Sequence, residues 1–237
     1  MALPSFKTQA DIQGPTDSVG GGFLLESGIH TAVIDMAYLD MSKGGAYSLN
    51  LTFKTEDGKT LREQLWMTGG TDKGQLNYYL DKDGKKQYLP GFNIANAIAV
   101  LTVGKEIGDL EPEDKMVNIR NFELKKDVPT AKPVYTDLIG QQVALGVIKQ
   151  IVAKNVKQAD GSYAPGAETR TENVIDAVFS VTTAQTLNEH RDGIDPVFAE
   201  KWSEANTGKT RDRTKKAGGT ATAGQPAAPT KSLFGNK

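Results

Sequence analysis

A strict two-residue alternation broken by a single turn constrains this chain more than any other feature. In AYSLNLTFKT, Tyr47, Leu49, Leu51 and Phe53 fall on one side of an extended chain, and Ser48, Asn50, Thr52 and Lys54 on the other. Only a half-buried strand has that period. Glu56-Asp57-Gly58-Lys59 follows with the Asp-Gly signal of a tight hairpin, and TLREQLWMT returns as the next strand. Upstream, IHTAVIDMAYL is rich in β-branched and apolar residues and ends at a Lys43-Gly44-Gly45 turn. The expectation is a meander of three antiparallel strands.

The rest of the chain is read against that meander. NYYLDKDGKKQYLPG repeats the hairpin signal at Asp83-Gly84, with Tyr78, Tyr79 and Tyr88 near its base and Lys82, Lys85 and Lys86 at its tip. In FNIANAIAVLTVG, Ile94, Ala97, Ile98 and Leu101 keep helical spacing and Gly104 stands at the stop. Met116 to Leu124 alternates and predicts a further strand. GQQVALGVIKQIVAKNVK and AETRTENVIDAVFSV, joined by QADGSYAPG, predict a long antiparallel ribbon carrying Lys149, Lys154 and Lys157. Asp195-Pro196 reads as a helix start, with Phe198 and Trp202 one turn apart to dock it.

Residues 1–22 mix Pro, Gly, Ser and Thr and are expected to form a flexible arm. Residues 207–237 are expected to be a disordered basic tail, because they hold almost no apolar content besides Leu233 and Phe234. One domain, 23–206, remains between them. Its order of meander, helix and further hairpin is the layout of an elaborated OB-fold. The expected class is mainly β: a five-stranded Greek-key barrel with one helix after the third strand, a long ribbon and a C-terminal helix.

The residue inventory narrows the chemistry. The chain has no cysteine and two histidines, which removes disulfides, thiolate zinc sites and cysteine nucleophiles. There is no phosphate-cradling Gly-rich loop with Lys-Ser/Thr, no GxSxG, no HExxH and no GxGxxG after a strand. Asp109, Glu111, Glu113 and Asp114 offer carboxylates for a Mg2+-dependent nuclease, set against a plain solvated loop. His190 reads as a surface helix residue. No enzyme activity, cofactor or metal is expected. With no basic leader and no apolar run near the roughly 18 residues a bilayer demands, no membrane association is expected and the location is cytoplasmic.

Formal charge is -1, yet residues 201–237 carry six more basic than acidic residues and the first 200 carry seven more acidic than basic. A nucleic-acid ligand would therefore need cations gathered on one face of an acidic body. On the third strand Arg62, Gln64, Trp66 and Thr68 share a face opposite Leu61, Leu65 and Met67, and the neighbouring strand adds Asn50, Thr52 and Lys54. An aromatic platform beside amides and cations is what holds single-stranded nucleic acid. Tyr78, Tyr79, Tyr88 and the lysine tip would close over it. The plainer alternatives are a Trp66 tucked under a loop, tyrosines in the core, and a hairpin tip that serves solubility.

GIHTAVIDMAYLDMSKGGAYSLNLTFKTEDGKTLREQLWMTGG and GFNIANAIAVLTVG, within residues 23–182, resemble the bacteriophage-encoded single-stranded DNA-binding proteins of the OB-fold type. The resemblance implies non-catalytic coating of single strands in phage DNA replication and recombination, in the infected cell. It also implies a C-terminal tail that recruits replication or recombination proteins. In that family the tail is often acidic with a terminal aromatic; here Leu233-Phe234 is present but the tail is basic. It is therefore expected to assist DNA binding or to dock a partner through Leu233 and Phe234. The competing expectation is a structural or assembly β-protein that works by protein docking.

Overall fold

A computed structural model describes residues 24–121, 124–159 and 161–214. The meander forms as β1 (Gly28–Met41), β2 (Tyr47–Thr55) and β3 (Thr60–Trp66). Then come the β4 (Tyr78–Leu80) and β5 (Lys86–Tyr88) hairpin and helix α1 (Pro90–Val103). Strands β6 (Glu113–Asn121), β7 (Lys126–Val134), β8 (Gln142–Lys157) and β9 (Tyr163–Phe179) follow. Helices α2 (Leu187–Asp192) and α3 (Phe198–Asn206) and a short β10 (Thr210–Asp212) close the described chain.

The alternation read from β2 is the burial pattern observed from Leu49 to Lys54, whereas at the start of the strand Tyr47 is exposed and Ser48 is buried. Leu49, Leu51 and Phe53 are buried, and the register sets Leu49 opposite Leu39 and Leu65, and Phe53 opposite Ile34 and Leu61. Gly58 turns the hairpin at φ +78°, a left-handed backbone that suits glycine. The Asp57 carboxylate braces that turn: the Lys59 ammonium at 2.7 Å and the Thr55 hydroxyl at 2.5 Å hold its pKa down to about 2.

β1 organises the sheet. One edge pairs with β2, and the other is divided, with β8 along Gly28 to Val33 and β7 meeting it at Tyr38. A bulge between Ile34 and Met36 separates the two halves and bends the strand. β9 pairs with β8 and β6 with β7, so two long hairpins project from the same edge. On the inner face α1 buries Ala95, Ile98 and Ala99 against the sheet, and Gly104 ends it with a left-handed cap. The Asn96 side chain accepts the Ile107 N–H and holds the segment that follows.

β8 is buried at six consecutive positions, 143–148, because both its faces are covered. Val143, Leu145 and Val147 join the main core, while Ala144 and Ile148 pack with Phe179 and Trp202 beneath α3. The Trp202 indole N–H donates to Asp176, which also accepts from Arg211 of β10.

The class is mainly β, as an open antiparallel sheet in which, among the described residues, no ladder joins β3 to β9, and three expectations are corrected. Part of that seam is filled by Leu25, whose backbone N–H and carbonyl bond the Asn173 side chain. The strand expected at Met116 to Leu124 is β6, shifted upstream and paired with a β7 that Pro129 and Pro133 disguise. α3 starts at Phe198, with no cap from Asp195, because Glu189 of α2 accepts the Val197 and Phe198 N–H groups. Residues 207–214, expected in a disordered tail, belong to the body. Gly208 N–H bonds Ser27, the Ser27 hydroxyl joins Lys149 N–H to Lys209 carbonyl, and β10 runs parallel to β8. The arm at 1–22 and Leu233 and Phe234 lie outside the described residues.

Gly91 sets α1 on β3. A Cβ there would stand 2.4 Å from the Trp66 carbonyl oxygen and 2.7 Å from its nitrogen, and backbone cannot step aside. Gly91→Ala should lower stability by about 1–3 kcal/mol. The check is a reduced urea midpoint with an unchanged slope.

Candidate nucleic-acid interface

The outer face of β1, β2 and β3 is assembled by register. Trp66 stands opposite Ser48, which stands opposite Asp40; Gln64 faces Asn50 and then Tyr38; Arg62 faces Thr52 and then Met36. Leu61, Leu65 and Met67 are buried on the far side, so Arg62 and Trp66 point outward as expected, and Trp66 is 43% exposed. The Ser48 hydroxyl accepts from both Asn50 and Gln64 amides at 3.2 Å, which fixes a polar floor between the aromatic and the cation.

The β4–β5 hairpin is rooted at the same end. Leu89 N–H bonds the Asn77 carbonyl at its base, and two residues on Gly91 lies against the Trp66 backbone. Tyr78 pairs across the strands with Tyr88; Lys86 Nζ sits 4.7 Å from the Tyr78 ring centroid. Tyr88 is exposed and stacks on Phe92 at 5.0 Å, whereas Tyr78 and Tyr79 are half-buried. Asp81 orders the tip: the Lys85 N–H, the Gln87 amide and the Asp83 N–H hold its carboxyl below the usual range. Among the described residues Lys82, Lys85 and Lys86 have no ion-pair partner, and neither has Arg62.

The remaining expected contacts divide differently. Lys54 is on the face but bonded to Asp35 at 2.7 Å. Lys149 pairs with Glu26 and Lys154 with Glu168, and Lys157, farther out on β8, has no ion-pair partner among the described residues. All three are on a strand separated from β3 by β1 and β2, so they are not brought together with Trp66. Two residues escaped the sequence reading. Tyr38 lies in the Gln64–Asn50 row, its phenol pKa raised by burial and then by Asp40; Lys132 of β7 reaches Asp40 at 2.5 Å. The β1 bulge hid the first by shifting the alternation, and the prolines of β7 hid the second.

Glu113 is bonded to Lys115 and Thr136, His190 is exposed on α2, and among the described residues no three His, Asp or Glu side chains gather to hold a metal. No helix of the described chain is long and apolar enough to cross a membrane. No protein-family model matches the chain, and a search of curated proteins returns no match.

Beside the interface, the seam between β3 and β9 opens into a cavity of about 450 Å³, whose lining includes Arg62, Glu63, Glu172 and Asn173. Burial pushes the Glu63 carboxyl up to about 7, opposed by the Ile175 N–H and reinforced by the Glu172 charge. A raised carboxyl pKa means that the folded chain holds a proton the unfolded chain releases. Stability is then full below the unfolded value of about 4.5, falls as pH rises towards 7, and levels beyond it. The loss is at most about 3 kcal/mol. Glu63→Gln should leave the melting temperature at pH 4.5 unchanged and raise it at pH 8, as measured by thermal denaturation across that window.

Proposed function

We propose that this chain binds single-stranded DNA without sequence preference, across the outer face of β1 to β3 and beneath the β4–β5 hairpin, and that it is not an enzyme. One observation carries the reading: exposed Trp66, on one face with Arg62, shares an end of the sheet with a hairpin bearing Tyr88 and three lysines, and among the described residues none of these cations has an ion-pair partner. Bases stack on aromatic faces whatever their identity, at about 1–3 kcal/mol each, while separate cations follow the phosphates. Arg62 and the hairpin lysines answer the difficulty posed by an acidic body, since they concentrate uncompensated charge where the aromatics are.

The proposal includes the barrel. The β1-β2-β3 meander is followed by α1, and then by β8 and β9 returning to the free edge of β1, an order that supports an OB-type reading. β6 and β7 read as an inserted ribbon beside it. The sequence resemblance supplies the setting we propose: coating of single strands during phage DNA replication and recombination, in the host cell.

Tryptophan fluorescence and salt-titrated binding to labelled oligonucleotides test the reading. Trp66→Ala and Tyr88→Ala should each weaken binding by about 1–3 kcal/mol, roughly 5- to 150-fold. Lys85→Ala with Lys86→Ala should reduce the slope of log affinity against log salt by about 1.4, two phosphate contacts at ~0.7 each. Lys149→Ala should leave that slope unchanged, since Glu26 already neutralises it. Equal weak binding to single and double strands, or full affinity in Trp66→Ala, would overturn the assignment.

A further inference from the structure

On the β8–β9 side of the molecule α2 and α3 enclose an open groove of about 290 Å³, lined by Thr186, Asn188, Glu189, Val197, Phe198 and Lys201. Much of its wall is apolar and bare. Val197 is 51% exposed and Phe198 45%, although Trp202, one turn further along α3, is 4% exposed. The Phe198 ring approaches Phe179 at 6.3 Å and leaves the rest of its surface open. Nor is the groove a loose surface loop. Buried Glu189 receives the N–H groups of Thr186, Val197 and Phe198, so one carboxylate locks α2, the connecting turn and the start of α3 together.

We propose that this groove binds Leu233 and Phe234 of the chain's own C-terminal segment. Three observations select that occupant. Residues 215–237 contain four lysines and no acidic residue, and Leu233 and Phe234 are their only large apolar side chains. Residues 187–206, which supply all of the groove's lining except Thr186, carry three more acidic than basic residues, so the segment and this pair of helices have opposite net charge. The described chain ends at Thr214, beside α3: Arg211 of β10 and the Trp202 indole share the Asp176 carboxylate.

Reach and size agree with this occupant. The 19 residues from Thr214 to Leu233 span up to ~65 Å when extended, far more than the few turns of helix to be crossed. A cavity of ~150 Å³ holds a benzene ring, so this groove has room for a phenyl group with an isobutyl group beside it. Asp195, Glu200 and Glu204, on the same stretch of chain as the lining residues, would offer carboxylates to the lysines flanking the pair. The apolar pair supplies the anchor and the lysines the orientation, and the DNA-binding reading is not needed for either.

The absence of cysteine makes the test direct, because Ser232→Cys accepts a single nitroxide label. In the full isotope-labelled chain, paramagnetic relaxation enhancement should concentrate on the amides of residues 186–201, several-fold above those of β2 and β3. It should disappear when Phe234→Ala is added, a change that leaves the folded body untouched. Enhancement spread evenly over the molecule, concentrated on the Trp66 face, or unaltered by Phe234→Ala would overturn the proposal. Mixing spin-labelled chain without isotope with isotope-labelled chain without spin label reads the remaining case. Enhancement of residues 186–201 as strong in that mixture, after allowance for its composition, as in the doubly labelled chain would put a second copy's tail in the groove and overturn docking within one chain.

Discussion

The divided edge of β1 is the constraint on which the architecture rests. A fourteen-residue strand cannot stay straight while β8 pairs with its first half and β7 with its second, and the bulge at Asp35 takes up the difference. The bend it introduces has two effects. It curls β1, β2 and β3 so that Ile34, Ala37, Leu49 and Phe53 enclose α1, and it turns the polar rows of the same strands outward as one continuous face. The β8–β9 and β6–β7 hairpins then leave the same edge at two heights, which is why they project as separate ribbons.

Charge is distributed by the same geometry. Most cations of the body that lie within reach of the sheet are neutralised locally: Lys54 by Asp35, Lys132 by Asp40, Lys149 by Glu26, Lys154 by Glu168. Such exposed pairs add little stability, a median near 0–1 kcal/mol each, but they remove those lysines from the pool available to an anionic ligand. Among the described residues Arg62, on the face that carries Trp66, and the lysines of the hairpin that carries Tyr88 have no ion-pair partner. An acidic chain can present a cationic strip in this way without any basic excess overall.

The parts of the fold legible in the sequence were those set by local rules. The alternation of β2, the Asp57-Gly58 turn and the Gly104 cap each depend on a few neighbouring residues, and each appears where the pattern put it. The site was legible to the same extent: the outward side of β3 follows from its period, so Arg62 and Trp66 could be read together. What escaped depended on distant partners. The cap of α3 comes from Glu189, nine residues before Phe198, and displaces the local Asp-Pro signal. β7 contains two prolines that argue against a strand, and its pairing with β6 and β1 outweighs them. Ion pairs that silence Lys54 and Lys149 join residues 19 and 123 positions apart, beyond any window of periodicity.

Ser27 links the first described segment, the last one and the middle of β8 through a single hydroxyl, with Lys209 and Lys149 as its partners. The two ends of the body therefore leave from one spot. A tension applied between residues 27 and 209 would meet the Ser27 bridge and the β10–β8 ladder, the latter loaded in shear. β2 and β3 lie outside that line of force. The part of the proposed nucleic-acid face that lies on β2 and β3, Trp66 and Arg62 included, would be spared that load.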